Sequence, residues 1–164
     1  MGYSHEYGFK EPVAPFPEYV LADVRKIVDR YKDLIQFEDD DPRPPVVTSE
    51  YIRFNGKGQA GYETLVIVPD ETHFCKTAYK PYDAAVCEVL LVLRHHYGDK
   101  FTLASDGFWV SREDFKAKRL DGCWNQAFRN VKEKFGYTFK LLRRISNSHG
   151  HAYYSFEILE SRAA

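Results

Sequence analysis

The chain has 164 residues, of which 44% are hydrophobic and 16% aromatic, so it can bury one substantial core and we expect one or two domains. Its formal net charge of −1 excludes the strongly basic balance of an obligate nucleic-acid coat protein. No stretch approaches the roughly 20 apolar residues of a membrane span. The cysteines are odd in number and no signal-type apolar segment begins the chain, so we expect a reduced, cytoplasmic protein.

Charge is distributed unevenly along the chain. Residues 1–80 carry 10 Lys and Arg against 14 Asp and Glu, whereas residues 81–164 carry 13 against 10. The basic excess is concentrated in residues 112–144, which hold 10 basic and 4 acidic side chains. A polyanion would therefore meet this C-terminal part of the chain first.

The N-terminal part predicts an arm, a helix and a linker. Residues 1–16 show no hydrophobic period, and they either lie extended with their aromatic side chains docked on the body or form a disordered arm. Apolar residues at spacings of three and four predict an amphipathic helix over residues 17–37. Its apolar face needs a covering surface, either the core of the same chain or a second copy in a homodimer. Four acidic residues and three prolines predict a solvated linker over residues 38–45.

The middle of the chain predicts an antiparallel β-hairpin extension. Strand-like residues 51–55 and 62–68 flank residues 56–61, a literal G-x-G-x-x-G, and residues 73–76 are expected to add a third strand to this hairpin. A dinucleotide-binding loop needs a helix after its third glycine, but a β-rich run follows here. We therefore expect a flexible hairpin loop. The alternative is a nucleotide-binding protein or enzyme whose loop grips phosphate through Lys57 and backbone N–H groups.

The last half of the chain predicts an alternation of helices and strands. An apolar stripe predicts a helix over residues 81–97, and the Ser111 hydroxyl is suited to cap a helix over residues 111–119. A second helix of this pair is expected over residues 121–136. The strand-like segments are residues 100–104, 138–145 and 152–159, of which the last two are joined by a hairpin loop at residues 146–151.

Helix, strand, helix, helix, strand, hairpin loop, strand is the order of elements over residues 80–159, and it resembles that of the winged helix-turn-helix superfamily. The resemblance implies an α+β fold with a winged-helix domain at residues 80–164. This domain would follow an N-terminal arm, helix and linker at residues 1–45 and the hairpin extension at residues 46–79. The resemblance also implies a DNA-binding protein, either a transcriptional regulator or a mobile-element accessory protein, with the second helix of the pair in the major groove of double-stranded DNA.

The non-core face of that second helix carries side chains of the types that read base edges, since Asn and Gln pair with adenine and Arg with guanine. The candidate DNA-contacting residues on this helix are Asn125, Gln126, Arg129, Asn130 and Lys132. In the predicted hairpin, Lys140, Arg143 and Arg144 are candidate phosphate contacts, and His149 in the loop is placed to reach the minor groove or the backbone. Further candidate phosphate contacts are Arg112, Lys116, Lys118, Arg119 and Lys134.

Other interpretations of this region stay open. One is that these polar side chains are simply the solvated faces of short helices and a hairpin. Another is a protein-interaction adaptor, for which Trp109, Tyr153 and Tyr154 are suitable contact residues. The chain contains neither C-x₂-C nor H-x₃-H, so no metal ligand is predicted. It also has no serine nucleophile elbow, and no catalytic residue or cofactor is predicted. Cys87 and Cys123 fall near apolar stripes and are expected to be core thiols.

Overall fold

The computed structural model describes residues 2–160, without the side chain of Glu160, and has the α+β class that the sequence predicts. The helices of these residues are α1 (Glu18–Arg30), α2 (Asp83–Tyr97), α3 (Arg112–Lys116) and α4 (Trp124–Phe135). The strands are β1 (Ser4–Gly8), β2 (Ile35–Gln36), β3 (Val46–Val47), β4 (Ile52–Gly56), β5 (Leu65–Ile67), β6 (Thr72–Lys76), β7 (Thr102–Ser105), β8 (Trp109–Val110), β9 (Phe139–Ser148) and β10 (His151–Glu160). Their antiparallel sheets have the orders β6-β1-β7, β8-β10-β9 and β2-β4-β3, and β5 also pairs with β4.

The N-terminal arm is a central strand of the fold rather than a free tail. β1 lies between β6 and β7 and pairs with both, with His5 opposite Cys75 and Ser105. This pairing satisfies the backbone of β1 on both edges and turns alternate side chains into the core. The aromatic side chains of the arm are all buried: Tyr3, Tyr7, Phe9 and Phe16. Of the two interpretations of this segment, the docked one is therefore correct.

Both α1 and α3 are shorter than the sequence predicts. α1 ends at Arg30 instead of residue 37, and the Tyr31 N–H closes the helix on the carbonyl groups of the preceding turn. The chain then turns, and Ile35 enters the sheet opposite Gly56, where it is fully buried. The apolar pattern runs across this turn because the strand faces the same core as the helix. α3 ends at Lys116 rather than residue 119.

The hairpin predicted for the middle of the chain is confirmed. β4 and β5 pair antiparallel, with Ile52 opposite Ile67 and Phe54 opposite Leu65, and these side chains are buried. The expected third strand forms as β6, but it pairs with β1 instead of joining the hairpin. The reason is that the docked arm supplies the edge with which β6 pairs.

Helix α2 is the centre of the core, and 11 of its 15 residues are buried. α1 and α4 both pack against it, and one continuous apolar cluster links α1, the β4–β5 hairpin, α2 and β10. The three predicted segments of the chain therefore share one core. Because α2 of the same chain covers the apolar stripe of α1, that stripe needs no second copy of the protein to become buried. None of the helices within residues 2–160 is both long and apolar enough to cross a membrane.

The C-terminal hairpin has a tighter turn than predicted. β9 and β10 pair along ten residues each, and only His149 and Gly150 separate them. Both residues have positive φ, 50° and 78°, as a two-residue type I′ turn requires. The predicted six-residue loop is therefore wrong, because Ser148 already pairs with His151.

The strand expected at residues 100–104 pairs with the N-terminal arm and not with the C-terminal hairpin. It forms as β7 and pairs with β1, on the far side of the docked arm from β6. The strand that pairs with the C-terminal hairpin is β8, where Trp109 lies opposite Ser155. A strand of two residues has no periodicity, so β8 gives no signal in the sequence.

Replacing Ile27 by Asp tests whether α1 is held by its apolar face. Ile27 is 0% exposed, so the new carboxylate would lose its hydration without gaining a partner. We expect the free energy of unfolding to fall by roughly 3 kcal/mol or more, as measured by urea denaturation. Lys26→Asp, at an exposed position of the same turn, is the control and should cost less than about 1 kcal/mol. Equal stability of the two variants would contradict the burial of this face.

Candidate nucleic-acid interface

Helix α4 is amphipathic, and its apolar face packs on α2. Trp124 and Val131 are fully buried, and Gly136 ends the helix in the left-handed region with φ of 77°. The helix begins at Trp124 and not at residue 121. The preceding residues form a loop instead, in which Gly122 also has a positive φ, 65°.

Asn125 holds this loop rather than standing free on the helix surface. Its Nδ2 donates to the Leu120 carbonyl at 2.7 Å, and its Oδ1 accepts from the Leu120 N–H at 3.1 Å. Both ends of the carboxamide are thus engaged with the backbone of one residue. Bidentate recognition of adenine uses the same two groups and would break both hydrogen bonds.

Three further polar residues of α4 form a hydrogen-bonded chain that leads into the core. Arg129 donates to Gln126 Oε1 at 2.8 Å, and Gln126 donates to Asn130 Oδ1 at 2.8 Å. Asn130 in turn donates to Glu88 Oε2 at 3.1 Å. Glu88 is 1% exposed and also accepts from Arg30. The expectation that Asn130 lies on the outer face is therefore wrong, because the buried Glu88 carboxylate draws it inward.

A groove of about 350 Å³ opens between α4 and β9. Its lining includes the exposed side chains of Lys118, Arg129 and Lys132. Its apolar wall includes Phe128 and Phe139, whose ring centroids are 5.8 Å apart. Within residues 2–160, none of these three cations lies within 4.0 Å of a carboxylate. The groove is therefore positively charged and has an apolar wall.

The basic residues of the C-terminal hairpin differ in their contacts. Arg143 donates to the Phe115 carbonyl at 3.2 Å and to the Lys116 carbonyl at 3.1 Å, so it holds the end of α3. Arg144 pairs with Glu157 across the two strands at 2.5 Å. The exposed side chains that make no hydrogen bond or ion pair with the described part of the chain include Lys140 and His149.

The G-x-G-x-x-G segment is a loop closed by its own hydrogen bonds. Asn55 Oδ1 accepts from the N–H groups of Gly56 and Tyr62, and Asn55 Nδ2 donates to the Tyr62 carbonyl and the Thr64 hydroxyl. A Cβ on Gly61 would lie 2.3 Å from Asn55 Oδ1, so close packing requires this glycine. These N–H groups face the loop itself, and this geometry gives no support to the phosphate-gripping alternative.

The core also contains a polar cluster that no sequence pattern indicated. We define the buried polar cluster as His5, Thr77, Asp83, Cys87 and Ser105. His5 Nδ1 lies 2.7 Å from Ser105 Oγ, and His5 Nε2 lies 2.7 Å from Asp83 Oδ1. Thr77 donates its hydroxyl to Asp83 Oδ1 at 2.7 Å, and Cys87 Sγ lies 3.6 Å from Asp83 Oδ2. His5 and Ser105 are distant in the sequence from Thr77, Asp83 and Cys87, so no single sequence pattern contains all five residues.

Ser105, His5 and Asp83 are the residue types of a serine hydrolase, but Ser105 is not placed as a nucleophile. Its Oγ already accepts the Gly107 N–H and the Trp124 indole N–H, each at 3.0 Å. The Ser105 hydrogen is then donated to His5 Nδ1, which leaves the histidine proton on Nε2 facing Asp83. Ser105 is 5% exposed and its partners are buried, so a substrate carbonyl has no approach to the hydroxyl.

The environment of the buried polar cluster favours an ionised Asp83 carboxylate that is surrounded by neutral hydrogen-bond donors. Burial by itself raises the pKa of Asp83, but hydrogen bonds from His5 and Thr77 hold that pKa below its usual range. Burial raises the pKa of the Cys87 thiol and raises the pKa of Cys123 to about 12. Both thiols are therefore protonated at neutral pH.

Comparisons of the chain with protein-family models, with curated proteins and with solved structures found no match. Its function is therefore inferred from the contacts and charges of its own residues. The structure brings Asn125, Arg129 and Lys132 to one groove. His149 lies at the tip of the C-terminal hairpin, whose ten-residue strands extend about 30 Å away from that groove.

Replacing Asn125 by Ala tests its role in holding the loop. The substitution leaves the Leu120 N–H and carbonyl without partners, so we expect a loss of about 1–2 kcal/mol in the free energy of unfolding. Gln126→Ala removes an exposed carboxamide from the same turn and should cost less than about 0.5 kcal/mol. Urea denaturation of both variants makes the comparison. An Asn125→Ala protein as stable as the wild type would show that the amide is free to contact a ligand.

Proposed function

We propose that residues 83–160 form a winged helix-turn-helix that binds double-stranded DNA. The order of elements α2, β7, β8, α3, α4, β9 and β10 supports this proposal, because it is the predicted order with one added strand, β8. So does the sheet order β8-β10-β9, because the strand before the helix pair joins the hairpin that follows it. Ser111 caps α3 by accepting the Asp114 N–H at 3.2 Å, as its position in the sequence predicts.

The observation that carries the proposal is the cationic groove on the exposed side of α4. Lys118, Arg129 and Lys132 border it, and no carboxylate of the described chain neutralises them. Their charge is therefore available to a polyanion, and neutralising phosphates there would release counterions from DNA. The acidic excess lies in residues 1–80, so repulsion would keep that half away from the DNA and orient the approach.

The contacts divide the candidate residues into two groups. Gln126, Arg129, Lys132, Lys140 and His149 are exposed, and we assign them to DNA contact. Arg129 lines the groove and Gln126 is exposed beside it on α4, with the two side chains hydrogen-bonded to each other. Both suit base edges, while the three others suit the phosphate backbone.

The second group supports the interface from within the protein. Asn125 and Asn130 fix the start and the rotation of α4, and Arg143 fixes the end of α3. Arg144 shares its charge with Glu157, so its contribution to phosphate binding is smaller than that of Lys140.

A second candidate function is a protein-interaction adaptor, and one observation favours it. Trp109 is 54% exposed, Tyr153 47% and Leu142 37%. The register of β8, β9 and β10 puts all three on the same side of the C-terminal sheet. An exposed aromatic surface of this kind suits a protein partner.

Titration of labelled random-sequence and selected DNA duplexes at several salt concentrations tests the DNA proposal. We expect wild-type affinity to fall steeply with salt. Arg129→Ala should cost about 1–3 kcal/mol of binding and relax the preference at one base position. Lys132→Ala and Lys140→Ala should weaken binding to all sequences alike and lower the salt slope by about 1 each. Lys26→Ala, an exposed cation of α1, is the control and should bind as the wild type does.

The same titration separates the two candidate functions. Absence of salt-dependent binding by the wild type would rule out the DNA proposal and favour the adaptor. A loss of DNA binding in Trp109→Ala or Tyr153→Ala that equals the loss in Arg129→Ala would instead move the DNA contact from the groove to the exposed sheet.

A further inference from the structure

We propose that His5, Asp83, Cys87 and Cys123 bind one zinc ion inside the fold. The proposal is independent of DNA binding, because the residues lie in the core and not at the groove. His5, Asp83 and Cys87 are 0% exposed, and their ligand atoms all lie within 4.8 Å of one another. Cys123 lies directly before α4 and is partly buried, and its electrostatic interaction with Asp83 places its thiol near that carboxylate as the fourth ligand.

The distances among the ligand atoms of His5, Asp83 and Cys87 are close to those of a tetrahedral zinc site. Zinc bonds of about 2.0–2.3 Å to nitrogen, oxygen and sulfur place neighbouring ligand atoms about 3.4–3.6 Å apart. Cys87 Sγ lies 3.6 Å from Asp83 Oδ2 and 3.9 Å from His5 Nε2. His5 Nε2 and Asp83 Oδ1 are 2.7 Å apart, so this one edge must open by about 0.7 Å.

The fold explains why these side chains converge. Asp83 and Cys87 are four residues apart on α2 and therefore project from the same face of the helix. His5 points inward from the central strand β1 and meets that face. Zinc would thus join β1, α2 and the start of α4, three elements that are distant in the sequence.

The charges of these ligands also suit a divalent cation. A neutral histidine, one carboxylate and one thiolate balance the two positive charges, so the ion could be buried without excess charge. A thiolate from Cys123 would add one negative charge. Asp83 is the first residue of α2 and Cys123 immediately precedes α4, so the positive ends of two helix dipoles would favour that charge.

The neighbours of the ligands fit the outer shell of a metal site. His5 Nδ1, the ring nitrogen that would not bind zinc, lies 2.7 Å from Ser105 Oγ, so Ser105 fixes the orientation of the imidazole ring. Thr77 holds the Asp83 carboxylate in the same way, at 2.7 Å. Together these contacts fix the orientation of two ligands.

The mixed set of nitrogen, oxygen and sulfur ligands favours zinc over calcium and magnesium, which take oxygen ligands only. Four protein ligands leave no open coordination position, and three of them are 0% exposed, which excludes a substrate. The site is therefore structural, and binding of the ion adds to the stability of the fold.

Metal analysis of the untagged full-length protein, purified without chelators, tests the proposal. We expect about one zinc per chain by inductively coupled plasma mass spectrometry. After removal of zinc by a chelator, the melting temperature should fall. Added Co²⁺ should then give the thiolate-to-cobalt charge-transfer absorption of a cysteine-bound ion.

Variants locate the site. Cys87→Ala should lose both the zinc and the cobalt absorption. Cys75→Ala is the matched control, because Cys75 is also 0% exposed but bonds to Tyr82 and the Glu63 carbonyl, and it should keep both. Ser105→Ala should still bind zinc, with affinity lowered about 10–100-fold. Circular dichroism shows which variants fold. If Cys87→Ala does not fold, Cys123→Ala takes its place and should show the same loss of cobalt absorption.

Two results would overturn the proposal. One is a folded wild-type protein that contains no zinc and gives no thiolate-to-cobalt absorption. The other is a Cys87→Ala protein that binds Co²⁺ as the wild type does. Either result would leave the buried polar cluster as a hydrogen-bonded network alone, whatever the DNA titration shows.

Discussion

The buried carboxylate of Asp83 is the constraint on which the rest of the structure depends. A charge without exposure to water needs donors or a cation, and the loss of one partner of such a group costs roughly 3–5 kcal/mol. His5 supplies the nearest donor, which requires the N-terminal arm to enter the core as a strand. Ser105 continues the network from His5 to the indole of Trp124, at the start of α4. The polar network thus fixes the positions of β1, β7, α2 and α4 relative to one another.

A second buried carboxylate, Glu88, fixes the rotation of α4. It lies further along α2 and accepts from Arg30 and Tyr31 at the end of α1 and from Asn130 on α4. With Asn130 turned inward, helical geometry places Arg129 on the exposed side of α4. The position of the cationic groove is therefore a consequence of how the core satisfies a buried charge.

The excess of basic residues in the C-terminal half serves two purposes. Some of these side chains stabilise the fold: Arg143 bonds the last carbonyl groups of α3, and Arg144 joins the two strands of the hairpin through Glu157. Others, such as Lys132 and Lys140, extend into solvent without a described partner, and only these are free to meet phosphate. A net charge near zero is compatible with this local positive surface, because the acidic residues are concentrated in the other half of the chain.

The sequence by itself determined the α+β class, the helices α1, α2 and α4, the β4–β5 hairpin and the C-terminal hairpin, because hydrophobic periodicity and turn residues are local signals. Only the tertiary structure decided that the N-terminal arm is a central strand, because strand pairing depends on an edge supplied by distant residues. It also decided which polar residues of α4 face solvent, since Asn125 and Asn130 are engaged by partners that the helical pattern does not contain. The convergence of His5 on Asp83 and Cys87 has the same origin. Folding brings these residues together through contacts between elements, and such contacts leave no regular spacing in the sequence.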